Sequence, residues 1–164
     1  MAVIDRATRL LAHKGINIKN KEELISKLTE YTKENGYPFT CSSFGHECAM
    51  AVKSLYPDDI VVIDKGVNKG ITTNKGMDFL EQLKKQQKSF CERNKTIGKT
   101  FTVSLPCSLR KDIRTFSREL KEKYKMDIPL CMALQEMIRL GCCNRLHGGE
   151  FVDQGGQQDD GRTV

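Results

Sequence analysis

The side chains best suited to catalysis or metal binding meet at one place in the sequence, around His46. Cys41, His46 and Cys48 are residue types that bind zinc, but a structural zinc site takes four ligands and this spacing matches no usual zinc pattern. His46, Glu47 and Cys48 also place a base, an acid and a thiol side by side, yet consecutive residues of a helix point to different sides and form no triad. We therefore predict no metal, no cofactor and no catalytic residue here, and we interpret the cysteines as reduced, mostly buried thiols.

Signatures of phosphate chemistry and nucleophilic catalysis are missing elsewhere in the sequence. There is no Gly-x-x-x-x-Gly-Lys-Ser/Thr loop, no paired-carboxylate motif and no Gly-x-Ser-x-Gly elbow. Three Lys-Gly pairs, at Lys65, Lys69 and Lys75, are placed to touch phosphates, although surface loops commonly have this composition. We expect that the protein is not an enzyme, and an enzyme is the least favoured of the classes considered.

The segment 99–106 alternates strictly between apolar and hydroxyl side chains. The apolar members are Phe101, Val103 and Leu105, and the hydroxyl members are Thr100, Thr102 and Ser104. A period of two is typical of a β-strand, whose successive side chains point to opposite faces. Pro106 ends the predicted strand because proline cannot continue a ladder of backbone hydrogen bonds.

Two amphipathic helices are predicted directly after this strand. The first has an apolar face at spacings of three and four, formed by Leu109, Ile113, Phe116 and Leu120. A break at 125–128 follows, in which Asp127 is suited to cap the next helix, with Pro129 tolerated in the first turn. The second helix has an apolar stripe made of Leu130, Leu134, Met137 and Ile138. Gly141 is placed to end it.

One strand and two helices in so short a segment are too small to be stable alone. A single strand has no partner for its backbone N–H and C=O groups, and the segment buries little apolar area. A symmetric dimer solves both problems if two copies of the strand pair antiparallel and four helices cover their apolar face. The exposed face of such a ribbon then carries hydroxyl side chains and is narrow enough to enter the major groove of DNA.

This order of strand, proline, helix, capped turn and helix resembles the ribbon-helix-helix family of DNA-binding proteins, over about 45 residues. The resemblance implies an α+β, mostly helical chain whose C-terminal ribbon-helix-helix forms an intertwined dimer. It implies that the outward strand residues Thr100, Thr102 and Ser104 contact bases. It also implies that phosphates are bound by flanking basic residues and by the start of the second helix, at Lys99, Arg110, Lys111, Arg114, Asp127, Ile128 and Leu130.

Two alternatives for the same segment stay open at this stage. In the first, the segment is a β-α-α part of a larger α+β domain, and its strand joins the apolar run Ile60–Ile63 in one sheet. In the second, the same scaffold is an adaptor that binds proteins rather than DNA. The favoured function is sequence-specific binding of double-stranded DNA as a homodimer, or as a higher oligomer on repeated sites, in transcriptional repression, plasmid partition or the relaxosome of conjugation.

The region 1–96 is predicted to be a mainly helical domain that adds DNA contacts, oligomerises or binds a protein partner. Helices are predicted at 4–14, 21–35, 44–55 and 77–94, with Ile60–Ile63 as a strand and 64–76 as a loop or hairpin. Asn20 and either Ser42 or Ser43 are suited to cap two of these helices. The successive helices around 36–43 also allow a helix-turn-helix, although eight residues are more than its usual turn.

Charge and composition are compatible with DNA binding and give expectations about location. The 164 residues carry a net charge of +6, and the segment 99–146 has ten basic and five acidic side chains. A basic balance is compatible with nucleic acid but is a weak signal by itself. No apolar run reaches the ~18–20 residues of a membrane span, and the N-terminus lacks a secretory signal, so we expect no membrane partner and a cytoplasmic location. The ribbon-helix-helix domain is placed at 97–146, and the polar tail 147–164 is predicted to be disordered.

Overall fold

The computed structural model describes residues 2–40, 44–65, 69–95, 102 and 104–148, and for 142–148 only the backbone. The described chain is α+β and mostly helical, as the sequence predicts. Its elements in chain order are α1 (Ala2–Ala12), α2 (Lys21–Asn35), α3 (Gly45–Leu55), β1 (Ile60–Ile63), β2 (Gly70–Thr73), α4 (Asn74–Arg93), α5 (Cys107–Tyr124) and α6 (Leu130–Gly148).

The apolar run at 60–63 forms strand β1 of a hairpin. β1 pairs antiparallel with β2, and the register joins Ile60 to Thr73 and Ile63 to Gly70. A single bridge from Phe39 to Ile71 extends the sheet on the other side of β2. The predicted strand is therefore confirmed, and of the two interpretations of 64–76 the hairpin is correct, although α4 already begins at Asn74.

Local capping explains where the N-terminal helices begin and end. The side chain of Asn20 accepts a hydrogen bond from the backbone N–H of Glu23, at 3.2 Å, and so caps α2 as predicted. Gly36 ends α2 with φ of 76°, a left-handed conformation that glycine adopts without a steric cost. Helix α3 begins at Gly45 without a side-chain cap hydrogen bond, and the predicted caps Ser42 and Ser43 lie outside the described residues.

The first core lies between α1, α2, α3 and the hairpin. Its fully buried residues include Leu11, Leu24, Leu28, Phe39, Val52, Ile60 and Ile71. At the edge of this core, two pairs of threonine hydroxyl groups join α2 to β2. The hydroxyl oxygens of Thr32 and Thr72 lie 2.7 Å apart, and those of Thr29 and Thr73 lie 2.6 Å apart. These contacts satisfy polar groups that would otherwise be costly to bury.

The predicted helix-turn-helix is not found between α2 and α3. In that motif the two successive helices pack on each other. Here α2 packs against α4 and β2, whereas α3 packs against α1 and the hairpin. The bridge from Phe39 to Ile71 runs between the two helices and accounts for the long connection.

Helix α4 packs on elements of the first core and contributes Phe90 to a second one. Its N-terminal half packs on α2 and β2, and near its C-terminus Phe90 is fully buried in a second core with residues of α5 and α6. The other buried members of this second core are Ile113, Leu120, Tyr124, Ile128 and Ala133. Gln87 also donates a 2.7 Å hydrogen bond to the backbone oxygen of Tyr124, at the end of α5. Phe90 lies before the domain boundary predicted at residue 97, which stays a prediction.

Helix α6 runs past the glycine that was expected to end it. It continues through Gly141 to Gly148, so the predicted stop at Gly141 is wrong. Glycine inside a helix costs only about 1 kcal/mol relative to alanine, and Gly141 has no left-handed φ that would turn the chain. Residues 147 and 148, predicted to begin a disordered tail, belong to this helix, and 149–164 lie outside the described residues.

Candidate nucleic-acid interface

The hydroxyl side chains expected to face DNA are found before α5. Thr102 and Ser104 are both exposed and belong to neither a helix nor a strand. Thr100, Lys99 and the apolar residues Phe101 and Val103 of the same alternation lie outside the described residues. No described residue of 99–106 joins the sheet of β1 and β2, as the β-α-α alternative requires. The strand itself stays a prediction.

The connection from this segment to α5 is held by two hydrogen bonds of Arg110. Its backbone N–H bonds to the oxygen of Pro106 at 3.0 Å, and its Nε donates to the oxygen of Leu105 at 2.9 Å. Leu105 is half-buried against the second core, whereas its neighbour Ser104 is exposed. The opposite exposure of these two neighbours is what an alternating segment with one apolar side requires.

A row of arginines follows the exposed side of α5. Arg110, Arg114 and Arg118 recur every four residues and are all exposed, and Lys111 beside them is exposed as well. Residues four apart lie on one helix face, so these guanidinium groups form one basic surface. Arg118 was missed as a candidate contact, although the spacing of four was the signal that identifies it. Its Nη2 donates to Thr115 Oγ1 at 3.3 Å, which leaves its other donors for a phosphate.

The start of α6 differs from the predicted capped turn. The helix begins at Leu130, directly after Pro129, and the Asp127 carboxylate lies 2.6 Å from Lys121 Nζ. Asp127 is therefore not the helix cap. The hydrogen bond to Lys121 lowers the pKa of Asp127, and the same bond raises the pKa of Lys121. Asp127 lies three residues before Leu130, the first residue of α6, and this is too early in the chain for the N-cap position. Its carboxylate pairs with Lys121 instead.

The other two residues predicted to hold a phosphate have different surroundings. Ile128 is buried in the second core, and its backbone oxygen accepts a 2.8 Å hydrogen bond from Ser117 Oγ. Leu130 is 48% exposed. The first turn of α6 thus faces solvent at Leu130 and Cys131, and its free N–H groups are the kind that bind anions at a helix N-terminus.

The apolar stripe predicted on α6 is only partly covered. Leu134 and Met137 pack against the second core, but Leu130 and Ile138 face solvent, and Ile138 is 57% exposed. Leu140 is exposed as well. The residues of α6 that are buried instead are Ala133 and Glu136. The face of α6 that turns inward is thus rotated from the expected one, because α4 packs beside it.

Glu136 is a buried carboxylate that sequence reasoning missed. Arg139 Nη2 donates to it at 2.7 Å, Arg93 Nη2 at 3.0 Å, and Asn94 Nδ2 at 2.8 Å. The hydrogen bonds from Arg139 and Arg93 lower the pKa of Glu136 to about 2, although its burial acts in the opposite direction. Arg93 also donates to Tyr124 Oη at 2.8 Å. This network joins the C-terminal end of α4 to both α5 and α6.

The cysteine and histidine motif forms no metal centre in the part of the chain that the structure describes. Cys41 lies outside it, Cys48 is buried, and His46 Nδ1 lies 3.6 Å from Asp64 Oδ2. The described residues contain no group of three His, Cys, Asp or Glu side chains that is suited to hold a metal ion. Among the described helices, none is long and apolar enough to cross a membrane.

Comparison with known proteins finds no relative: no protein-family model, no curated protein and no solved structure matches this chain. The function is therefore argued from the described residues themselves.

Proposed function

We propose that the protein binds double-stranded DNA as a homodimer through residues 99–146, in the manner of a ribbon-helix-helix, and that it is not an enzyme. The observation that carries the proposal is the pair of exposed hydroxyl side chains, Thr102 and Ser104, directly before a helix with a basic side. Hydroxyl groups donate and accept hydrogen bonds to base edges, and the arginines of α5 attract the phosphates on either side.

The incomplete burial of α6 supports a dimer. Leu130, Ile138 and Leu140 expose a large share of their apolar surface, 48%, 57% and 40% respectively. Apolar surface transferred out of water gains roughly 25 cal/mol per Å². Leu130 and Ile138 belong to the apolar stripe predicted on α6, whereas Leu140 lies on another side of the helix. A second copy of the chain, related by a two-fold axis, covers Leu130 and Ile138 with the same residues and supplies the antiparallel partner of the strand predicted at 99–106.

The phosphate contacts are assigned to the arginine row and to the start of α6. Arg110, Lys111 and Arg114 were expected to bind phosphates, and Arg118 extends their row by one turn. At the start of α6, the contact expected of the backbone N–H groups at Ile128 and Leu130 is kept and extended to the N–H group of the exposed Cys131. Sequence-independent contacts of this kind set the orientation of the protein on the duplex.

The test is selection of binding sites from a random duplex library, followed by a mobility-shift assay of the selected duplex. The double variant Thr102→Ala/Ser104→Ala is expected to bind with relaxed base preference, because the groups that contact bases are gone. Ser54→Ala, an exposed hydroxyl on α3, is the matched control and keeps the preference. Lack of any shift by the wild type at low salt would contradict the proposal and favour a protein adaptor.

A second variant separates phosphate contacts from base contacts. Lys111→Ala is expected to weaken binding to every duplex and to reduce the slope of log K against log salt by about one. Lys85→Ala, an exposed lysine on α4, serves as its control and leaves the slope unchanged. Repression, plasmid partition and conjugative DNA processing all use such binding, and the selected sites distinguish them by their position in the genome.

A further inference from the structure

A cleft lies between the two cores, with an apolar floor and three lysines around it. Its volume is 340 Å³, and its floor includes Leu80 and Leu83 of α4. Lys65 comes from the end of β1, Lys84 from α4, and Lys125 from the turn after α5. Among the described residues that line it, none is Asp or Glu. The cleft thus combines positive charge with apolar surface, and its size falls in the range of small-molecule sites.

Lys125 adopts a backbone conformation that disfavours lysine. Its φ is 49°, and it is the one non-glycine residue with a positive φ in the described part of the chain. It ends α5 in the left-handed conformation, a position where glycine or asparagine is usual because they lack the steric cost. Strained residues of this kind cluster at ligand sites, so the turn at Lys125 is a candidate position for ligand binding.

The packing around Lys125 fixes its stem at the cleft. A Cβ atom at Gly36, the end of α2, would lie 2.5 Å from the Cβ of Lys125, so only glycine allows the two helix ends to meet. The ammonium group of Lys125 lies 3.3 Å from a carboxylate oxygen of Glu122, whose side chain is 78% exposed. The Lys125 side chain is only 21% exposed, so a phosphate at this ammonium group competes with the carboxylate of Glu122 for it. Lys65 and Lys84 form no ion pair with any described carboxylate.

Tyr37 adds an aromatic surface to the cleft. It is 38% exposed and lies beside Pro38 and the floor residues. An exposed aromatic face stacks on the flat surface of a nucleobase, while ammonium groups bind phosphate oxygens. We propose that this cleft binds a nucleoside mono- or diphosphate, with the phosphates at Lys65, Lys84 and Lys125 and the base against Tyr37.

Lys125 itself ends α5 and meets Gly36 at the end of α2, and the carbonyl ends of helices favour cations by themselves. If balancing these helix ends is the whole role of Lys125, and Lys65 and Lys84 are only solvated surface residues, the cleft binds no nucleotide. The two roles differ in a direct measurement, because a structural role leaves no heat of binding and no dependence of ligand affinity on the lysines.

The test is isothermal titration calorimetry of the full chain with ADP, adenosine and inorganic phosphate, in the absence of DNA. ADP is expected to bind at least ten times more tightly than adenosine or inorganic phosphate. Lys84→Gln and Lys65→Gln are each expected to weaken ADP binding about tenfold, whereas Lys85→Gln, one residue away on α4, leaves it unchanged. No heat with ADP at millimolar concentration, or equal affinity in all variants, would overturn the proposal.

Lys125→Gly separates a ligand-binding role of this lysine from a purely structural one, because melting temperature and ADP affinity are measured on the same variant. Glycine relieves the left-handed strain, so the melting temperature is expected to stay at or above that of the wild type while ADP affinity falls. A random-sequence duplex added to the ADP titration is expected to leave ADP binding unchanged. Competition by the duplex would assign the cleft to DNA phosphates and overturn the assignment to a free nucleotide, without affecting the proposal for 99–146.

Discussion

The two cores of this protein bury polar groups in different ways. In the first core, neutral hydroxyl groups meet in pairs, as between Thr32 and Thr72, and the surrounding apolar cluster draws on α1, α2, α3 and the hairpin. In the second core, which rests on three helices, a buried carboxylate is surrounded by two arginines and an asparagine. Among the described residues, the buried polar side chains beside the larger core are thus neutral threonines, whereas the smaller core holds its helices with a buried carboxylate.

This difference indicates what each core is for. The first core closes around a sheet whose strands have their partners within the chain. Large apolar residues are exposed beside both cores, on α1 and α3 of the first as on α6 of the second. The second core differs because it adjoins the segment 99–106, for which the described residues include no strand partner. A core that is small, held by specific charges and open on one side is suited to be completed by a second copy.

The largest effect on the free energy of unfolding is expected at Phe90, the aromatic side chain of α4 that is buried in the second core. Phe90→Ala is expected to lower the free energy of unfolding by about 3–5 kcal/mol, because it leaves a cavity beneath Tyr124. Urea unfolding followed by circular dichroism measures the loss. Because α4 packs on α2 and the hairpin and also carries Phe90 of the second core, we expect one transition, and Leu24→Ala in the first core should likewise give a single, earlier transition. Two separate transitions would show that the cores fold independently.

The second effect concerns the charge network. Glu136→Gln is expected to cost about 3 kcal/mol at pH 7, since a pKa lowered from 4.5 to about 2 corresponds to that free energy. The folded pKa is the lower one, so this stability is complete above pH ~4.5 and is lost as the pH falls toward 2. The measurement is the difference in unfolding free energy between wild type and variant at pH 7 and pH 3.

The control for the charge network is Glu119→Gln, an exposed carboxylate on α5. It is expected to change stability by less than about 0.5 kcal/mol at either pH. A difference between wild type and Glu136→Gln that stays constant from pH 7 to pH 3 would contradict the assigned role of the buried carboxylate.

A smaller effect is expected from the neutral pairs of the first core. Thr72→Val removes one hydroxyl, while Thr32 keeps its 2.8 Å hydrogen bond to the backbone oxygen of Leu28. The expected loss is about 1 kcal/mol, the net contribution of one neutral hydrogen bond. Thermal unfolding of Thr72→Val beside Glu136→Gln tests the comparison directly. If both variants lost the same unfolding free energy, the neutral threonine pair and the charged network around Glu136 would contribute equally, and the comparison between the two cores would fail.

The smallest effect on monomer stability, and the largest on assembly, is expected at Ile138. Ile138→Ser changes an exposed side chain and should alter the unfolding free energy by less than about 0.5 kcal/mol. It should nevertheless weaken self-association at least tenfold in sedimentation equilibrium. Met50→Ser, at an exposed apolar residue of α3, is the matched control and keeps the dimer. A wild-type chain that is monomeric at micromolar concentration would contradict the dimer altogether.

Local signals in the sequence predicted most of the elements. The β-branched run Ile60–Ile63 predicted β1, and Asn20 and Gly36 predicted both ends of α2, because each acts through its own neighbours in the chain. Gly141 did not end its helix, although it too is a local signal. A glycine ends a helix only where the chain adopts the left-handed conformation, and that depends on what packs around it.

The candidate site was predicted in part. Thr102, Ser104 and the arginines of α5 are exposed as the alternation and the helical period indicated. The cap assigned to Asp127 was wrong, because Lys121, six residues earlier in the chain, takes its carboxylate. The exposure of side chains on an amphipathic segment follows from its period. Whether the Asp127 carboxylate bonds to the N–H groups of α6 or to Lys121 depends instead on distances that only folding sets.

The sequence by itself determined the helical content, the strand at Ile60–Ile63 and the basic, hydroxyl-bearing character of the segment before and along α5, since periodicity and capping act over a few residues. It left the loop and the hairpin open for 64–76, and the structure decided for the hairpin. Only the tertiary structure decided that α4 packs on both α2 and α5, that Glu136 is buried beside Arg93 and Asn94, and that Lys125 meets Gly36 beside a cleft. These pairings join residues about 40 to 90 positions apart. No local period encodes them, because they arise from how the helices pack.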